Sequence, residues 1–347
     1  MNVRRRAGVA SLAACLVVAM GGCATQPALV ESPLGHVELV DTPFHPQRRY
    51  QCGPASLATV LGASGVAVTP GGLEPLVYLP GRKGSLQVEM QAAPRSYGRL
   101  SYRIEPELAA VVSELDAGRP VLVLHNYGLP GWPRWHYAVV IGHNAQADQL
   151  ILRSGMERRE VWSARNFMRA WDNGDRWALV VLQPGELPKA PDKDRYLEAA
   201  AAFENVAAPH DAWLAFDAAA RAWPAAPVAW IGRGTAKYRE RNFHAAAADY
   251  EVALRLEPGH AGARNNLAMT LLEQGCARAA RQQLDMIDVA GLNEAMREAV
   301  IDSSRQVDAK LGLDKVPYGI STENCIGSST HHESQSQGSV STRTAPL

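Results

Sequence analysis

The sequence predicts an α+β domain, with helices first and an antiparallel sheet after them, followed by an all-α solenoid of repeated helix pairs. Helical stretches precede a series of short apolar runs that are bounded by Gly, Pro, Asn or Asp, as strands are. After Pro184 the chain becomes alanine-rich and helical, and its apolar positions recur every thirty-four residues. These observations indicate two domains of different class, joined by a proline-containing linker at residues 184–192.

The N-terminal segment has the features of a bacterial export signal. Arginines at positions 4–6 precede an apolar run, residues 7–20, that is too short to span a bilayer comfortably. A Gly-Gly pair then precedes Cys23. This ending resembles the bacterial lipoprotein box, in which small residues precede a cysteine that is acylated and becomes the mature N-terminus. The resemblance implies a signal peptide at residues 1–22 and a tether at residues 23–39.

The residue after Cys23 indicates the membrane in which the acylated protein would be anchored. By the same resemblance, Ala24 in place of Asp implies transfer to the outer membrane, with the chain facing the periplasm. The alternative is ordinary cleavage near Ala24 with Cys23 discarded.

A cysteine lies at the start of the first predicted helix. The segment reads Gln51-Cys52-Gly53-Pro54-Ala55-Ser56-Leu57, with a proline suited to a first helical turn and Gly62 and Gly65 as the stop. The positive field of a helix N-terminus favours thiolate, which is the form that attacks carbonyl carbon. We therefore predict that Cys52 is an activated nucleophile that needs a histidine from elsewhere, and His136 is the candidate.

The other elements of the first domain follow in order. One helix opens with Ser85 as its cap and stops at Gly98, and another is predicted over residues 105–117. Residues 128–135 are too rich in Gly and Pro for a strand and are predicted to form a long turn, in which Trp132 and Trp135 either wall a cleft or simply pack. Apolar runs predict four strands, at residues 120–125, 136–141, 149–153 and 177–182.

These elements, in this order, resemble the papain-like cysteine peptidases, and most closely the double-glycine leader (bacteriocin-processing) peptidase family. The resemblance depends on the Gln-Cys-Gly-Pro-Ala-Ser-Leu segment around Cys52 and on a Trp-His-Tyr-Ala-Val-Val strand around His136, which is followed by a β-hairpin. It covers residues 40–183 and implies a papain-like cysteine peptidase domain there. A lone Cys-Gly-Pro can be structural, whereas its combination with a histidine strand at this spacing favours a catalytic pair.

The resemblance implies roles for particular residues. Cys52 would be the nucleophile, and His136 the base that takes its proton and later gives one to the leaving amine. Gln47 would help hold the oxyanion, although it lies five residues before the cysteine where the family has six, and Gln51 is the competing side chain. The Asp that orients the imidazole in the family is absent, and Ser154 stands there without a negative charge.

Three further residues are candidates for the orienting role if their loops fold back. Asp148 lies in the turn before the strand that ends at Ser154, and Asn173 and Asp175 precede the last strand. We predict a Cys-His pair oriented by Ser154, with slower chemistry or a site that the substrate completes.

The second domain contains the internal repeat. Proline recurs at positions 224 and 258, alanine at 212, 246 and 280, and a large apolar residue at 216, 250 and 284. These columns resemble the tetratricopeptide repeat (TPR), with small residues where helices cross and proline at the turn into the next repeat. The resemblance implies repeats at residues 193–226, 227–260 and 261–292, then a closing helix to residue 311 with Asn293 as its cap. The alternative is an alanine-rich bundle without repeats.

Repeats of this class hold a peptide or protein partner on their concave side, which is what the resemblance implies here. Arg233, Lys237, Asn265 and Asn266 lie on first helices of their repeats, where they either contact such a partner or are plain solvated surface. Residues 312–347 are rich in Ser, Thr, Gln and His and are predicted to be disordered.

Composition and spacing argue against other classes. Basic and acidic residues are equal at 35 each, so there is no electrostatic case for nucleic acid. No His, Cys or carboxylate pair has recognised metal-ligand spacing, His331-His332 reads as incidental, and neither metal nor cofactor is predicted. Of the five cysteines, Cys15 lies in the signal and Cys23 is the predicted lipid site. The remaining Cys52, Cys276 and Cys325 do not indicate a disulfide scaffold.

Taken together, these features predict a lipid-anchored periplasmic cysteine peptidase that hydrolyses peptide bonds in an exported protein or peptide. The TPR repeats would bind the substrate or a protein partner, and the membrane would be reached only through the N-terminal lipid. The main alternative is a non-catalytic peptide-binding adaptor for an envelope assembly, motivated by the missing Asp. A third is acyl transfer or amide hydrolysis on a non-protein substrate by the same pair.

Overall fold

A computed structural model describes residues 32, 34–47, 49–129 and 131–313, and these residues form two compact units that divide between Ala199 and Ala200. The predicted signal, the lipid site at Cys23 and the tail from residue 314 lie outside the described residues. Within those residues, no helix has both the length and the apolar character needed to cross a bilayer.

The first unit is built on an antiparallel sheet, as predicted for an α+β domain. Its strands are β1 (His36–Glu38), β2 (Leu100–Arg103), β3 (Val121–Asn126), β4 (Trp135–Asn144), β5 (Gln149–Ser154), β6 (Glu157–Ser163) and β7 (Ala178–Leu182). Its helices are α1 (Cys52–Ala63), α2 (Pro70–Val77), α3 (Gln87–Ala92), α4 (Leu108–Asp116) and α5 (Ala164–Asp172). The sheet order is β2-β7-β3-β4-β5-β6, and β1 pairs with β4 off this path.

The first helix packs against the middle of the sheet, where it contacts β3, β4 and β7. Leu57 and Leu61 of α1 are fully buried in one cluster with Tyr137 and Val139 of β4. Burial of such side chains contributes about 1.5–3 kcal/mol each to folding. This packing brings the N-terminus of α1 to the start of β4.

Strand register sets which side chains share a face. His125 of β3 pairs directly with His136 of β4, so both side chains lie on the same face. The register of β4 against β5 shifts between Val140 and Gly142. A Cβ atom at Gly142 would overlap the Val37 carbonyl oxygen of β1, so only glycine allows β1 to lie this close.

The helix predicted from Ser85 to Gly98 differs from the prediction. Leu86, not Ser85, is the N-cap residue of α3, and the Ser85 hydroxyl is buried with no hydrogen-bond partner among the described residues. The α-helix ends at Ala92 and continues as a 3-10 helix (Ala93–Tyr97), because Pro94 has no N–H for the α-helical pattern. Gly98 ends the segment with φ 66°, as expected for a C-terminal glycine.

Several elements of the first unit have no counterpart in the prediction, namely β1, β2, β6, α2 and α5. Strand β6 begins with charged, exposed residues and lacks an apolar run, so pairing with β5 and not local propensity makes it a strand.

The second unit is helical. Its helices are α7 (Pro209–Ala222), α8 (Pro227–Arg239), α9 (Phe243–Leu256), α10 (Ala261–Glu273), α11 (Ala277–Asp285) and α12 (Glu294–Leu313), while α6 (Lys193–Glu204) spans the division. From α7 onward each helix packs against the next. The helices fall in pairs within the three predicted repeats, and the Asn293 side chain accepts a hydrogen bond from the Met296 N–H at 2.9 Å at the start of α12. The TPR assignment itself stays a prediction.

Polar side chains on the first helices of the predicted repeats are mostly engaged within the unit. Lys237 donates to Glu240 at 2.8 Å and lies 4.4 Å from the Trp213 ring. Asn265 is buried, and Arg233 binds two aspartates of the neighbouring helices. Arg233 is thus held by ion pairs within the unit, and partner binding by these helices stays a prediction.

Candidate active site

Cys52 is the first residue of α1 and is partly buried. It is a free thiol, whereas Cys276 is disulfide-bonded. Burial raises the pKa of the Cys52 thiol, and the backbone N–H groups of Tyr137, Gly53 and Cys52 lower it by less. Burial thus opposes the thiolate that the helix N-terminus is expected to favour, because the cost of burying the charge exceeds the effect of these hydrogen bonds.

A hydrogen bond fixes the helix that contains Cys52 to the strand that contains His136. The Ser56 hydroxyl, one turn into α1, donates to the Tyr137 carbonyl oxygen at 3.0 Å. Gly53 lies against Ser85, and a Cβ atom at this position would lie 2.6 Å from the Ser85 Cβ. Since Tyr137 follows His136 directly, these contacts hold the nucleophile and base candidates at the same end of β4.

The Gln47 side chain lies at this junction. Its Nε2 is 3.4 Å from Ser56 Oγ and 3.5 Å from the Tyr137 carbonyl oxygen, while its backbone N–H donates to Gly155 at 3.0 Å. The Gln47 amide thus donates long hydrogen bonds to both α1 and β4 where the two elements meet. The structure brings Gln47 to the N-terminal turn of the cysteine helix, where its amide donor is held only loosely.

His136 and Ser154 are brought together by the pairing of β4 with β5. His136 Nε2 lies 3.1 Å from Ser154 Oγ, and Ser154 is buried. Burial lowers the pKa of His136, and the Glu160 carboxylate acts in the opposite direction. With burial also raising the pKa of Cys52, the resting site favours a neutral thiol and a neutral imidazole.

The other candidates for the orienting role lie elsewhere. Asp148 precedes β5, at the opposite end of that strand from Ser154. Asn173 is the C-cap residue of α5, and Asp175 lies in the turn before β7 with φ 55°. Ser154, at 3.1 Å, is the side chain that the structure places against the imidazole nitrogen.

Glu160 is a site residue that the sequence analysis missed. It pairs with Leu152 across β5 and β6, and its charge raises the pKa of both His136 and Tyr127. The available signal was the spacing of Glu160 and Trp162, which places both side chains on one face once β6 is recognised as a strand. Glu160 supplies from a third strand part of the negative charge that Ser154 lacks.

Tyr127 contacts the His136 ring, and further aromatic rings lie next to Tyr127. The Tyr127 ring centroid lies 5.4 Å from that of His136, and the His125 ring stacks on Trp162 at 5.3 Å. His125 is a fully buried core histidine. Trp132 and Trp135 are 82% and 52% exposed, so of their two predicted roles, packing in the core is excluded.

The buried His125 predicts a pH-dependent stability. Burial first, and the charge of His136 second, lower its pKa to about 3 from 6.5. Below pH 6.5, His125 therefore binds a proton in the unfolded chain but not in the folded chain. The free energy of unfolding then falls by up to about 1.4 kcal/mol per pH unit down to about pH 3. Urea unfolding at a series of pH values measures this slope.

His125→Gln is the test variant for that slope, and the exposed His210→Gln is its matched control. The slope should become shallower in the His125 variant only. Equal slopes in the wild type and His125→Gln would contradict the assignment.

Among the described residues, no group of three or more His, Cys, Asp or Glu side chains is arranged to hold a metal ion. The arrangement offers instead a thiol, an imidazole, a hydroxyl that contacts the imidazole and backbone N–H groups at a helix start, which together suit nucleophilic attack on a carbonyl group.

Comparison with known proteins agrees with this chemistry over part of the chain. Residues 39–178 match the Peptidase_C39 like family. A solved structure described as a "putative C39-like peptidase" from Bacillus anthracis is 16% identical, with 43% of this chain and 98% of that chain covered and a TM-score of 0.36. The Sgt2 TPR domain from Aspergillus fumigatus is 18% identical, with 40% and 94% covered and a TM-score of 0.32. No curated protein matches. Residues 39–178, which contain Cys52, His136 and Ser154, are thus similar to the Peptidase_C39 like family, and this similarity suggests a cysteine peptidase.

Proposed function

We propose that this chain is a lipid-anchored cysteine peptidase of the bacterial envelope that hydrolyses peptide bonds in an exported protein or peptide. The observation that supports it best is the junction of α1 and β4. There Ser56 ties the Cys52 helix to Tyr137, and the adjacent His136 contacts Ser154 at 3.1 Å. The whole junction lies within residues 39–178, where the peptidase-like family matches.

The proposed reaction starts from the neutral pair. As Cys52 Sγ attacks the peptide carbonyl carbon, His136 takes the thiol proton, so no buried thiolate has to exist beforehand. The Cys52 backbone N–H and the Gln47 amide hold the oxyanion. The imidazolium then protonates the leaving amine, which gives an acyl-enzyme. Water, deprotonated by His136, hydrolyses the thioester and restores the thiol.

The electrostatics of the site favour this order of events. Burial opposes charge on both groups before substrate arrives. Once His136 becomes positive, the Glu160 carboxylate stabilises it, because opposite charges attract strongly in a poorly solvated site. Ser154 contributes a dipole but no charge, so the rate we expect is lower than with a carboxylate in that position.

The location and partner belong to the same proposal. The basic segment, the apolar run and the Gly-Gly-Cys23 ending support export, acylation and an outer-membrane position facing the periplasm. The thirty-four-residue period of the second unit and its paired helices support TPR repeats that hold the substrate or a protein partner. Neither nucleic acid, cofactor nor metal takes part.

A non-catalytic adaptor is the second candidate, and one observation favours it. The side chain on His136 Nε2 is an uncharged serine, and both members of the Cys-His pair are biased toward their neutral forms. In that case the papain-like part would hold a peptide without cleaving it, while the helical unit recruits an envelope assembly.

Peptide cleavage distinguishes the two candidates. A library made by digesting periplasmic proteins is incubated with the mature chain, and newly formed amino termini are labelled and identified by mass spectrometry. The peptidase should produce new termini that Cys52→Ala does not. Identical termini with both proteins, together with retention of uncut peptides on the immobilised chain, would reject the peptidase and support the adaptor.

A further inference from the structure

A chain of hydrogen-bonding side chains runs from His136 into the interior of the first unit. His136 Nε2 is 3.1 Å from Ser154 Oγ. Tyr127 lies against the His136 ring, with centroids 5.4 Å apart, and its Oη is 3.3 Å from His125 Nδ1. The Ser154 hydroxyl also acts to lower the pKa of Tyr127, as a nearby hydrogen-bond donor does. Side chains from β3, β4, β5 and the residue after β3 thus lie in a row from the catalytic base to a fully buried histidine.

The buried end of this chain is an uncharged imidazole. His125 has no exposed surface, and it lies between the stacked Trp162 ring and the edge-on Phe167 ring, 5.0 Å away. Burial, and after it the charge of His136, lower the pKa of His125 to about 3. At neutral pH the imidazole is therefore uncharged, and one of its two nitrogens is a hydrogen-bond acceptor.

The number of hydrogens allows two arrangements of donors and acceptors along this row of side chains. Each hydroxyl has a single hydrogen, so Ser154 and Tyr127 either both donate away from His136 or both donate toward it. Only the first direction lets Ser154 accept from an Nε2–H of His136. Imidazolium has a hydrogen on both nitrogens, so the second direction would collapse when the base takes its proton.

We propose that Tyr127 and His125 are positioning residues for His136. Ser154 donates to Tyr127 and Tyr127 donates to His125 Nδ1, which leaves a Ser154 lone pair for the Nε2–H of His136. His136 is thereby held in the tautomer whose Nδ1 is unprotonated and can take the proton of Cys52. Uncharged side chains linked by hydrogen bonds thus orient the His136 imidazole, a role that a carboxylate could also perform.

This inference deepens the proposed function, on which its catalytic meaning rests, but the tautomer can be measured without any substrate. The full chain is labelled with 15N-histidine, and the Nδ1 and Nε2 shifts of His136 are assigned by comparison with His136→Gln among the ten histidines. We expect His136 in the Nε2–H form at neutral pH. A predominant Nδ1–H form in the wild type would overturn the proposal, even for a protein that cleaves peptides.

Variants of Tyr127 and His125 test the role of each residue. Tyr127→Phe keeps the ring and removes the hydroxyl, so His136 should become a mixture of tautomers. Iodoacetamide should then alkylate Cys52 about tenfold more slowly, which corresponds to about 1.4 kcal/mol in activation free energy. His125→Gln keeps an acceptor and should retain the tautomer, whereas His125→Leu should lose it. Tyr78→Phe is the matched control. Circular dichroism confirms folding, and a wild-type tautomer in both Tyr127→Phe and His125→Leu would overturn the proposal.

Discussion

Replacing Cys52 with alanine is expected to abolish peptide hydrolysis, with a loss of at least about a thousandfold in kcat/KM. The thiol is the attacking group, and alanine leaves the oxyanion donors and the base without a nucleophile. The fold should be unchanged, since alanine suits the first helical turn and the Ser56–Tyr137 bond does not involve the Cys52 side chain. Kinetics on the peptides found with the library, together with thermal unfolding, measure both effects.

Two further variants separate chemistry from structure. Cys52→Ser keeps a hydroxyl of similar shape, whose much higher pKa makes it a poor nucleophile, and should also be inactive. His136→Ala should lose activity while Cys52 stays reactive at high pH, where the thiol ionises without a base. Cleavage that persists in Cys52→Ala would show that another group performs the reaction.

The pH profile of the wild type checks the neutral-pair mechanism. Because burial lowers the pKa of His136, the base form should persist below pH 6.5, and activity should fall only at lower pH, where imidazolium forms. Because burial raises the pKa of Cys52, iodoacetamide alkylation of the free site should increase at a pH above the ordinary thiol range.

Replacing Arg233 with alanine is expected to destabilise the second unit by about 3–5 kcal/mol. Arg233 binds Asp249 through two nitrogens, at 3.0 and 2.6 Å, and Asp217 through a third at 3.0 Å. The two aspartates belong to α9 and α7 and are 6% and 8% exposed. Without the guanidinium, two poorly solvated carboxylates remain, with the solvent-exposed Arg221 still paired to Asp217. Urea unfolding of the chain measures the loss.

The control for Arg233 removes the charges together. The triple variant Arg233→Met, Asp217→Asn and Asp249→Asn leaves no unpaired charge, and it should recover most of the stability. Arg233→Lys keeps the charge but not the fork geometry, so we expect an intermediate loss. A single Arg233→Ala variant that unfolds at the wild-type urea concentration would show that the ion pairs contribute little.

Local sequence patterns were enough for part of the fold and part of the site. The start of α1 at Cys52, the strand containing His136 and the glycine end near Gly98 all follow from signals within a few residues. The Ser85 cap failed because Pro94 and the packing of α3 decide where that helix begins and ends. Strand β6 was missed because its charged residues form a strand only by pairing with β5.

By itself, the sequence determined the position of a cysteine at a helix start, the histidine and serine that would accompany it, and the thirty-four-residue period of the second unit. Only the tertiary structure decided the charge state of the pair, because pKa values depend on burial and on groups distant in sequence, such as Glu160. It also decided that His136 lies against Ser154 and Tyr127, and Tyr127 against His125, since strand pairing and not spacing along the chain brings these side chains together.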